Sequence, residues 1–151
     1  MASKGQLTGM TGVYYVAAEL SKLGFIVTPT SRNAQGIDLL IANSNGTKSF
    51  SAQVKTNATT FSFWLLGEKN QKMKSDSFFY IFVNLRKSEI EYFIIPSKIV
   101  AKKIYHQPTK NKATGKISNW YSFPYREALK FKRKWLDSFG NPNPRISKKK
   151  D

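Results

Sequence analysis

The feature that most constrains the fold is an uninterrupted apolar and aromatic run at residues 78–85, which reads FFYIFVNL. A strand with one face in water alternates apolar and polar residues, whereas a strand buried on both faces does not. The run therefore predicts a buried central strand. Alternation, apolar content and flanking turn residues predict four further strands, at residues 25–28, 37–42, 49–56 and 91–95.

Three other segments carry apolar residues at helical spacing. They are residues 11–23, 97–105 and 125–139, while residues 107–119 are predicted to be a loop. The third helix would bury one face, made by Ala128, Phe131, Trp135 and Phe139. This order predicts an α/β fold in which a helix precedes a mixed sheet of about five strands flanked by helices.

The length of 151 residues and the hydrophobic content of 40% are those of one globular domain. We expect a single domain over residues 1–140 and a basic, disordered tail over residues 141–151. The formal net charge is +16, and residues 102–151 hold 14 of the 25 basic residues but three acidic ones. Such a surplus favours a polyanionic partner, with nucleic acid first and an anionic membrane surface second.

Several chemistries are excluded by composition. There is no cysteine, so disulfides, thiolate catalysis and cysteine zinc sites are ruled out. One histidine, His106, cannot build a multi-histidine metal site, and we assign it no role. A bound metal would therefore have oxygen ligands, as magnesium, manganese and calcium do. No apolar run approaches the roughly 20 residues of a membrane helix and no secretory signal is present, which predicts a cytoplasmic protein.

Four polar residues form a candidate catalytic set. Asp38 stands at the start of a strand that is otherwise apolar. Gln53 and Lys55 share the polar face of the next strand. If the two strands pair as a hairpin, Asp38 meets that face at one end of the sheet. Glu19 lies at the flank of the apolar stripe of the first helix.

Metal-assisted phosphodiester hydrolysis needs this combination of groups. The carboxylate of Asp38, the side-chain carbonyl of Gln53 and the backbone carbonyl of Val54 are hard oxygen ligands that suit magnesium. Lys55 beside them can orient or deprotonate a water, or stabilise charge developing on a phosphate. Spacing alone favours a structural interpretation instead, with a solvated strand face, Asp38 in a turn, and Glu19 paired with Lys22.

The stretch at residues 12–56, GVYYVAAELSKLGFIVTPTSRNAQGIDLLIANSNGTKSFSAQVKT, resembles the PD-(D/E)xK nuclease superfamily. It looks most like the group that contains Holliday-junction resolvases and small restriction-endonuclease-like proteins. The matching order is a helix with a glutamate at its edge, a strand, Gly-Ile-Asp, a hairpin, and a strand that ends in Val-Lys. The resemblance implies a restriction-endonuclease-like core.

The resemblance also implies a role for each residue of the set. Asp38 would be the metal-binding aspartate, Lys55 the catalytic lysine, and Glu19 a further carboxylate that reaches the metal directly or through water. Gln53 would stand where the superfamily usually has Glu or Asp, so the site lacks one negative charge and should bind metal more weakly. The implied cofactor is Mg²⁺ or Mn²⁺, and the implied partner is DNA. The implied assembly is a homodimer, in a bacterial-type, nucleoid-associated setting.

The function expected from these observations is a metal-dependent endonuclease that hydrolyses DNA phosphodiester bonds. The residues expected to contact DNA are Arg32, in a polar loop, and three residues of the C-terminal helix, Lys130, Arg133 and Lys134. Gln53 favours an alternative, a non-catalytic nucleic-acid-binding module or subunit on the same fold.

A third interpretation is a protein that binds an acidic protein or membrane surface through its basic tail. Its interface would be an exposed aromatic patch made by Phe61, Phe63 and Trp64, although aromatic residues of this kind are more often core or dimer contacts.

Overall fold

The structure is a computed structural model that describes residues 1–31, 36–59 and 62–143. Its strands are β1 (Ile26–Pro29), β2 (Leu39–Ala42), β3 (Ser49–Asn57), β4 (Phe63–Leu66), β5 (Phe78–Asn84), β6 (Glu91–Pro96), β7 (Tyr105–Lys110) and β8 (Ile117–Pro124). Its helices are α1 (Lys4–Lys22), α2 (Lys69–Lys72), α3 (Ser97–Lys103), α4 (Tyr125–Ala128) and α5 (Trp135–Phe139).

A five-stranded mixed sheet in the order β1-β2-β3-β5-β6 forms the centre. β3 and β5 run parallel, and the other neighbours pair antiparallel. Every residue of β5 is buried, so the predicted central strand is confirmed. The α/β class, with a helix before a mixed sheet of five strands, is confirmed as well.

The two faces of this sheet are covered by different layers. Alternate residues of β5 point to opposite faces. One face packs under α1 in a hydrophobic cluster that includes Phe79, Ile81 and Val83. The other face packs against a second sheet, of order β4-β8-β7, in a cluster that includes Tyr80 and Phe82. The described part of the chain therefore has three layers: helix, sheet and sheet.

The proposed aromatic patch is divided by this packing. Trp64 of β4 is 2% exposed, and its ring stacks on Phe82 with centroids 5.0 Å apart. Phe63 is half-buried, and Phe61 lies outside the described residues. Trp64 is thus part of the core between the two sheets and not part of an exposed interface.

The prediction of a loop over residues 107–119 is wrong. β7 and β8 form an antiparallel ladder from Tyr105 opposite Ser122 to Lys110 opposite Ile117. Every residue from 105 to 120 is exposed, so the segment lacks the apolar alternation that marks a half-buried strand. Pro108 also argues against a strand, but β7 is an edge strand, where proline is tolerated.

The prediction of one helix over residues 125–139 is also wrong. α4 continues into a 3₁₀ turn at Leu129–Phe131, the chain then extends, and α5 begins at Trp135. In the extended part the N–H of Arg133 donates to the carbonyl of Tyr92, at 2.9 Å. Arg133 has a φ of 52°, a value that no α-helix contains.

This break carries the chain around the edge of β6. Ala128 and Phe131 pack in the cluster below the second sheet, whereas Trp135 and Phe139 pack in the cluster under α1. Ala128, Trp135 and Phe139 are therefore buried as expected and Phe131 is half-buried, but the four residues serve two different cores on opposite faces of the sheet.

α1 begins at Lys4 rather than at residue 11 because Ser3 and Gln6 form a capping box. The hydroxyl of Ser3 accepts from the N–H of Gln6 at 3.2 Å, and the side chain of Gln6 accepts from the N–H of Ser3 at 2.8 Å. The buried stripe of the helix includes Val13, Val16 and Leu20.

Gly12 allows α1 to approach β3 closely. A Cβ at this position would lie 1.8 Å from Oγ1 and 3.0 Å from Cβ of Thr56. We expect Gly12→Ala to lower the free energy of unfolding by roughly 1–3 kcal/mol, which is the usual cost of overpacking. This cost outweighs the gain from the higher helix propensity of alanine. Denaturant unfolding measures this change.

Gly9→Ala in the same helix is the matched control, because nothing lies within 4 Å of a Cβ there. Because alanine has a higher helix propensity than glycine, the Gly9→Ala variant should be more stable than the wild type by up to about 1 kcal/mol. Thr56→Ala should recover part of the loss in the Gly12→Ala background. Equal stability of the two glycine variants would show that the helix does not need this close approach.

The last described residues remain attached to the domain. The N–H of Ser44 donates to the carbonyl of Pro142 at 2.9 Å, and Pro142 is buried. The remainder of the predicted basic tail, residues 144–151, lies outside the described residues. No helix in the described ranges has the length and apolar content to cross a membrane.

Candidate active site

Asp38 is held by backbone hydrogen bonds at the point where the β2–β3 hairpin opens. Its N–H donates to the carbonyl of Ala52 at 2.8 Å, and its carbonyl accepts from the N–H of Thr30 at 2.9 Å. Its carboxylate oxygen Oδ2 accepts from the N–H of Val54 at 2.7 Å. The two strands do pair as a hairpin, so Asp38 lies at the end of the sheet beside β3.

The backbone carbonyl of Val54 shares this edge. In an extended strand the N–H and C=O of one residue point to the same side. Because the N–H of Val54 points at Asp38, its carbonyl oxygen points to that edge too. Among the described residues, Oδ1 of Asp38 takes part in no hydrogen bond. The carboxylate of Asp38 and the backbone carbonyl of Val54 thus lie along the same edge of β3.

Gln53 is buried, and its orientation is fixed by Asn70 of α2. Oδ1 of Asn70 accepts from the N–H of Gly67 at 2.7 Å, so its amide nitrogen points the other way. That nitrogen donates to Oε1 of Gln53 and to the hydroxyl of Tyr80, both at 2.9 Å. A side-chain carbonyl has two acceptor lone pairs, so Oε1 of Gln53 retains one for a cation.

Asn70 and Tyr80 are site residues that sequence reasoning missed. Asn70 is fully buried although it lies in a polar segment, GEKNQK, that carries no apolar spacing. Tyr80 is the partner of Gln53 in the β3–β5 register. The signal available for Tyr80 was the polar hydroxyl in an otherwise apolar strand, since a buried tyrosine hydroxyl usually has a partner.

Lys55 is half-buried on the same face of β3 as Gln53. Burial lowers the pKa of Lys55 below its usual value, because a charged ammonium is poorly solvated there. The negative charge of Asp38 opposes this shift, and the positive charge of Lys69 adds to it. Lys55 is therefore close enough to Asp38 to interact with its charge, and its proton is easier to remove than that of an exposed lysine.

Glu19 has a different set of neighbours. Its carboxylate pairs with Lys22 at 3.3 Å, as the structural interpretation of the sequence expected. Burial, with the nearby charge of Glu19, raises the pKa of Tyr92 to about 12. Within the described residues no hydrogen bond joins Glu19 to Asp38 or Lys55. Its predicted role at the metal stays a prediction.

The predicted DNA-contact residues that the structure describes, Lys130, Arg133 and Lys134, lie away from this site. Arg32 lies outside the described residues. Lys130 and Arg133 lie over the rings of Phe131 and Tyr92, respectively, and Lys134 pairs with Asp137 at 3.1 Å. All three follow the edge of β6, two strands away from β3. Their contact with DNA stays a prediction.

The donor set fits a hard divalent cation that keeps several waters. Magnesium is usually bound by one or two carboxylates together with water and substrate oxygens. Asp38 would supply one carboxylate, and Val54 and Gln53 would supply neutral carbonyl oxygens. In the part of the chain that the structure describes, no three His, Cys, Asp or Glu residues cluster. An all-carboxylate cage is therefore not formed by these residues, and a magnesium site of low charge is the arrangement they allow.

These elements form a restriction-endonuclease-like fold, which two solved structures share. One is a bacterial homing endonuclease, I-Ssp6803I, with a TM-score of 0.59 and 12% sequence identity. The likeness covers 97% of this chain and 99% of that chain.

The other is Hjc, a Holliday junction resolvase from the archaeal hyperthermophile Archaeoglobus fulgidus, with a TM-score of 0.55 and 10% identity. This likeness covers 85% of this chain and 93% of the Hjc chain. No protein-family profile matches this chain, and no curated protein matches it by sequence. At these identities the likeness shows the fold.

Proposed function

We propose that this protein is a metal-dependent endonuclease that hydrolyses DNA phosphodiester bonds. The observation that carries the proposal is the grouping of the Asp38 carboxylate, the Val54 carbonyl and the Lys55 ammonium at one end of the β2–β3 hairpin. Two further facts support it. Both structural neighbours are nucleases by name, and the chain has a net charge of +16.

A bound Mg²⁺ or Mn²⁺ would supply a Lewis acid at the scissile phosphate and make a water easier to deprotonate. Asp38 and Val54 would hold the cation with anionic and neutral oxygens, and Gln53 would add its amide oxygen. In hydrolysis the water oxygen bonds to phosphorus while the bond to the leaving sugar oxygen breaks. Lys55 serves this step either as an ammonium that stabilises the developing charge or as an amine that takes the proton of the water.

Asn70 belongs to this proposal as a positioning residue. Its hydrogen bond holds Oε1 of Gln53, and Gly67 fixes the direction of that bond. Because Gln53 offers a neutral amide oxygen, the cation would be bound by less negative charge than two carboxylates provide. We therefore expect weaker metal binding than at a site with Glu in place of Gln53.

The second candidate is a nucleic-acid-binding module without catalysis. It is favoured by Gln53, whose side-chain oxygen already accepts a hydrogen bond and carries no charge. A subunit of this kind would bind DNA and leave chemistry to a partner. The two candidates differ in one measurable property, the metal-dependent breakage of a phosphodiester bond.

The test is a nicking assay on supercoiled plasmid and on a four-way junction, each with Mg²⁺ and with Mn²⁺. Lys55→Ala is prepared in parallel and should cut about 10²–10⁴-fold more slowly, the usual effect of losing a group that transfers protons or stabilises charge. Lys48→Ala, at the far end of the β2–β3 hairpin, is the matched control and should cut at the wild-type rate.

Cutting that needs metal and is lost with Lys55 would support the nuclease. Cutting that persists in Lys55→Ala would come from a contaminant or from another site. Binding of either DNA without cutting would favour the non-catalytic module.

DNA as the partner and a homodimer as the assembly are part of the same proposal. One site of this kind cleaves one strand, so cleavage of both strands is most directly achieved by two copies. Light scattering of the purified chain, with and without DNA, tests the number of copies.

A further inference from the structure

The β7–β8 hairpin projects from the domain. We call residues 107–119 of this hairpin the arm. All of them are exposed, on both faces of the ribbon. A two-stranded hairpin in water is marginally stable on its own, and the arm buries no apolar side chain in the domain. The arm therefore contributes little to the core, and we interpret its composition as suited to binding a partner.

The composition of the arm matches a polyanion. It contains Lys110, Lys112 and Lys116 and no acidic residue. Its other side chains are mostly amides and hydroxyls, which hydrogen-bond phosphates and base edges. It contains no aromatic residue, whereas surfaces for single strands stack bases on aromatic rings. The arm thus favours a duplex over unpaired bases.

The shape of the arm matches one groove of that duplex. Four residues of β7 in the arm, 107–110, pair with β8, so the paired part of the ribbon is about 14 Å long at about 3.4 Å per residue. The major groove of B-DNA is about 12 Å wide and 8.5 Å deep and admits a two-stranded ribbon, whereas the minor groove is about 6 Å wide. The ribbon is therefore long enough to reach the floor of the major groove.

The base of the arm lies next to the candidate active site, and α2 connects the two. On one side of α2, Asn70 bonds to Gln53, and the charge of Lys69 acts on Lys55. In the second sheet, Tyr121 of β8 lies opposite both His106 of β7 and Leu66, the last residue of β4 before α2. One short helix thus separates the base of the arm from Lys55.

We infer that the arm enters the major groove of duplex DNA and holds the duplex so that a nearby phosphate lies at Asp38 and Lys55. The inference rests on the proposed action on DNA, and it names the substrate as a duplex with an accessible major groove. It also assigns to the arm the DNA contact that the sequence placed in residues 130–134. His106 stacks on Tyr121 with ring centroids 4.3 Å apart and stiffens the base of the ribbon.

The test measures binding of the full-length chain to a fluorescent 30-base-pair duplex by anisotropy, in EDTA, so that no cleavage occurs. The arm variant is Lys112→Ala with Lys116→Ala. If both lysines contact phosphates, the slope of log affinity against log salt should fall by about 1.8. Lys22→Ala with Lys48→Ala removes the same charge at the opposite end of the sheet and should leave the slope unchanged.

Two further measurements separate the groove from general charge attraction. Arginine at both positions 112 and 116 should restore the wild-type slope, and circular dichroism verifies that each variant is folded. A duplex whose major groove is filled by glucosylated hydroxymethylcytosine should bind the wild type more than tenfold more weakly. The same modification should change the binding of the arm variant much less.

An unchanged slope in the arm variant would overturn the inference, and so would equal wild-type affinity for the modified duplex. The inference would also be overturned if the arm substitutions lowered the affinity for a single-stranded oligonucleotide as much as the affinity for the duplex, because a single strand has no groove. None of these outcomes affects the nicking assay, which judges the nuclease separately. If the wild type never cuts DNA but the arm variant binds DNA more weakly, the proposed nuclease is refuted and the inference about the arm stands.

Discussion

Asp38→Asn is expected to reduce metal-dependent cleavage by more than about a hundredfold while the fold and the affinity for DNA persist. Replacing even the outer partners of metal ligands typically costs 10–100-fold, and Asp38 would be a direct carboxylate ligand of the proposed cation. Asparagine has the same shape, and its side-chain oxygen can still accept from the N–H of Val54. The change therefore removes the charge and keeps the hydrogen bond that closes the hairpin.

Initial nicking rates over a range of Mg²⁺ concentrations measure this effect, and calorimetric titration with Mn²⁺ reports binding of the cation directly. Asp76→Asn is the matched control, because Asp76 is exposed and pairs with Lys98. It should cut like the wild type. If Asp38→Asn cuts at the wild-type rate at every metal concentration, Asp38 is not a ligand and the site assignment fails.

Glu91→Gln is expected to have the largest effect on stability, and it concerns a part of the molecule without a proposed catalytic role. Glu91 is buried at the start of β6. Its carboxylate accepts from Asn84 at 2.7 Å, from Lys132 at 2.9 Å, and also from Lys87 and Tyr125. Burial alone would raise the pKa of Glu91, but these donors outweigh it and lower the pKa to about 2.

The depressed pKa makes stability depend on pH. An ordinary glutamate pKa is 4.5, so the folded state holds its proton more weakly than the unfolded state does. The contribution is complete above pH 4.5 and is lost as the pH falls from about 4.5 to about 2. Its size is about 3 kcal/mol, from the shift and the value of one pKa unit.

Urea unfolding at several pH values between 2 and 7 measures this loss. Glu91→Gln should be less stable than the wild type near neutral pH, and its stability should vary less with acid. Glu89→Gln in the same β5–β6 connection is the control, since Glu89 is exposed. Parallel stability curves for the wild type and Glu91→Gln would show that the buried carboxylate does not govern acid unfolding.

The centre of the candidate site was predictable because local patterns determine it. Alternation in β3 assigned Gln53 and Lys55 to one face, and the turn residues after β2 implied the hairpin that brings Asp38 beside them. Both patterns involve only a few neighbouring residues. They hold in any fold that buries Phe50, Ala52 and Val54 on one face. The central strand β5 was predictable for a similar reason, since an apolar run needs cover on both faces.

Other parts depend on partners that are distant in sequence. Asn70 is buried because Gln53 and Tyr80 need its amide group, and nothing within segment 67–72 indicates that need. The arm has no apolar face, so its pairing leaves no trace in hydrophobic spacing. The residues from Ala128 to Phe139 satisfy the spacing of one helix, but Arg133 pairs with Tyr92 and divides them between two cores.

The passage of the chain around β6 also determines how this sheet can meet another one. Lys132 and Arg133 occupy backbone positions beside Phe93 and Tyr92, so they protect part of that border from an additional strand. At the opposite border β1 is four residues long and ends in Pro29, which has no N–H to donate. Both borders are thus poor templates for joining sheets between molecules. Along these two borders the five-stranded sheet therefore resists the edge-to-edge pairing of strands that leads to fibrils.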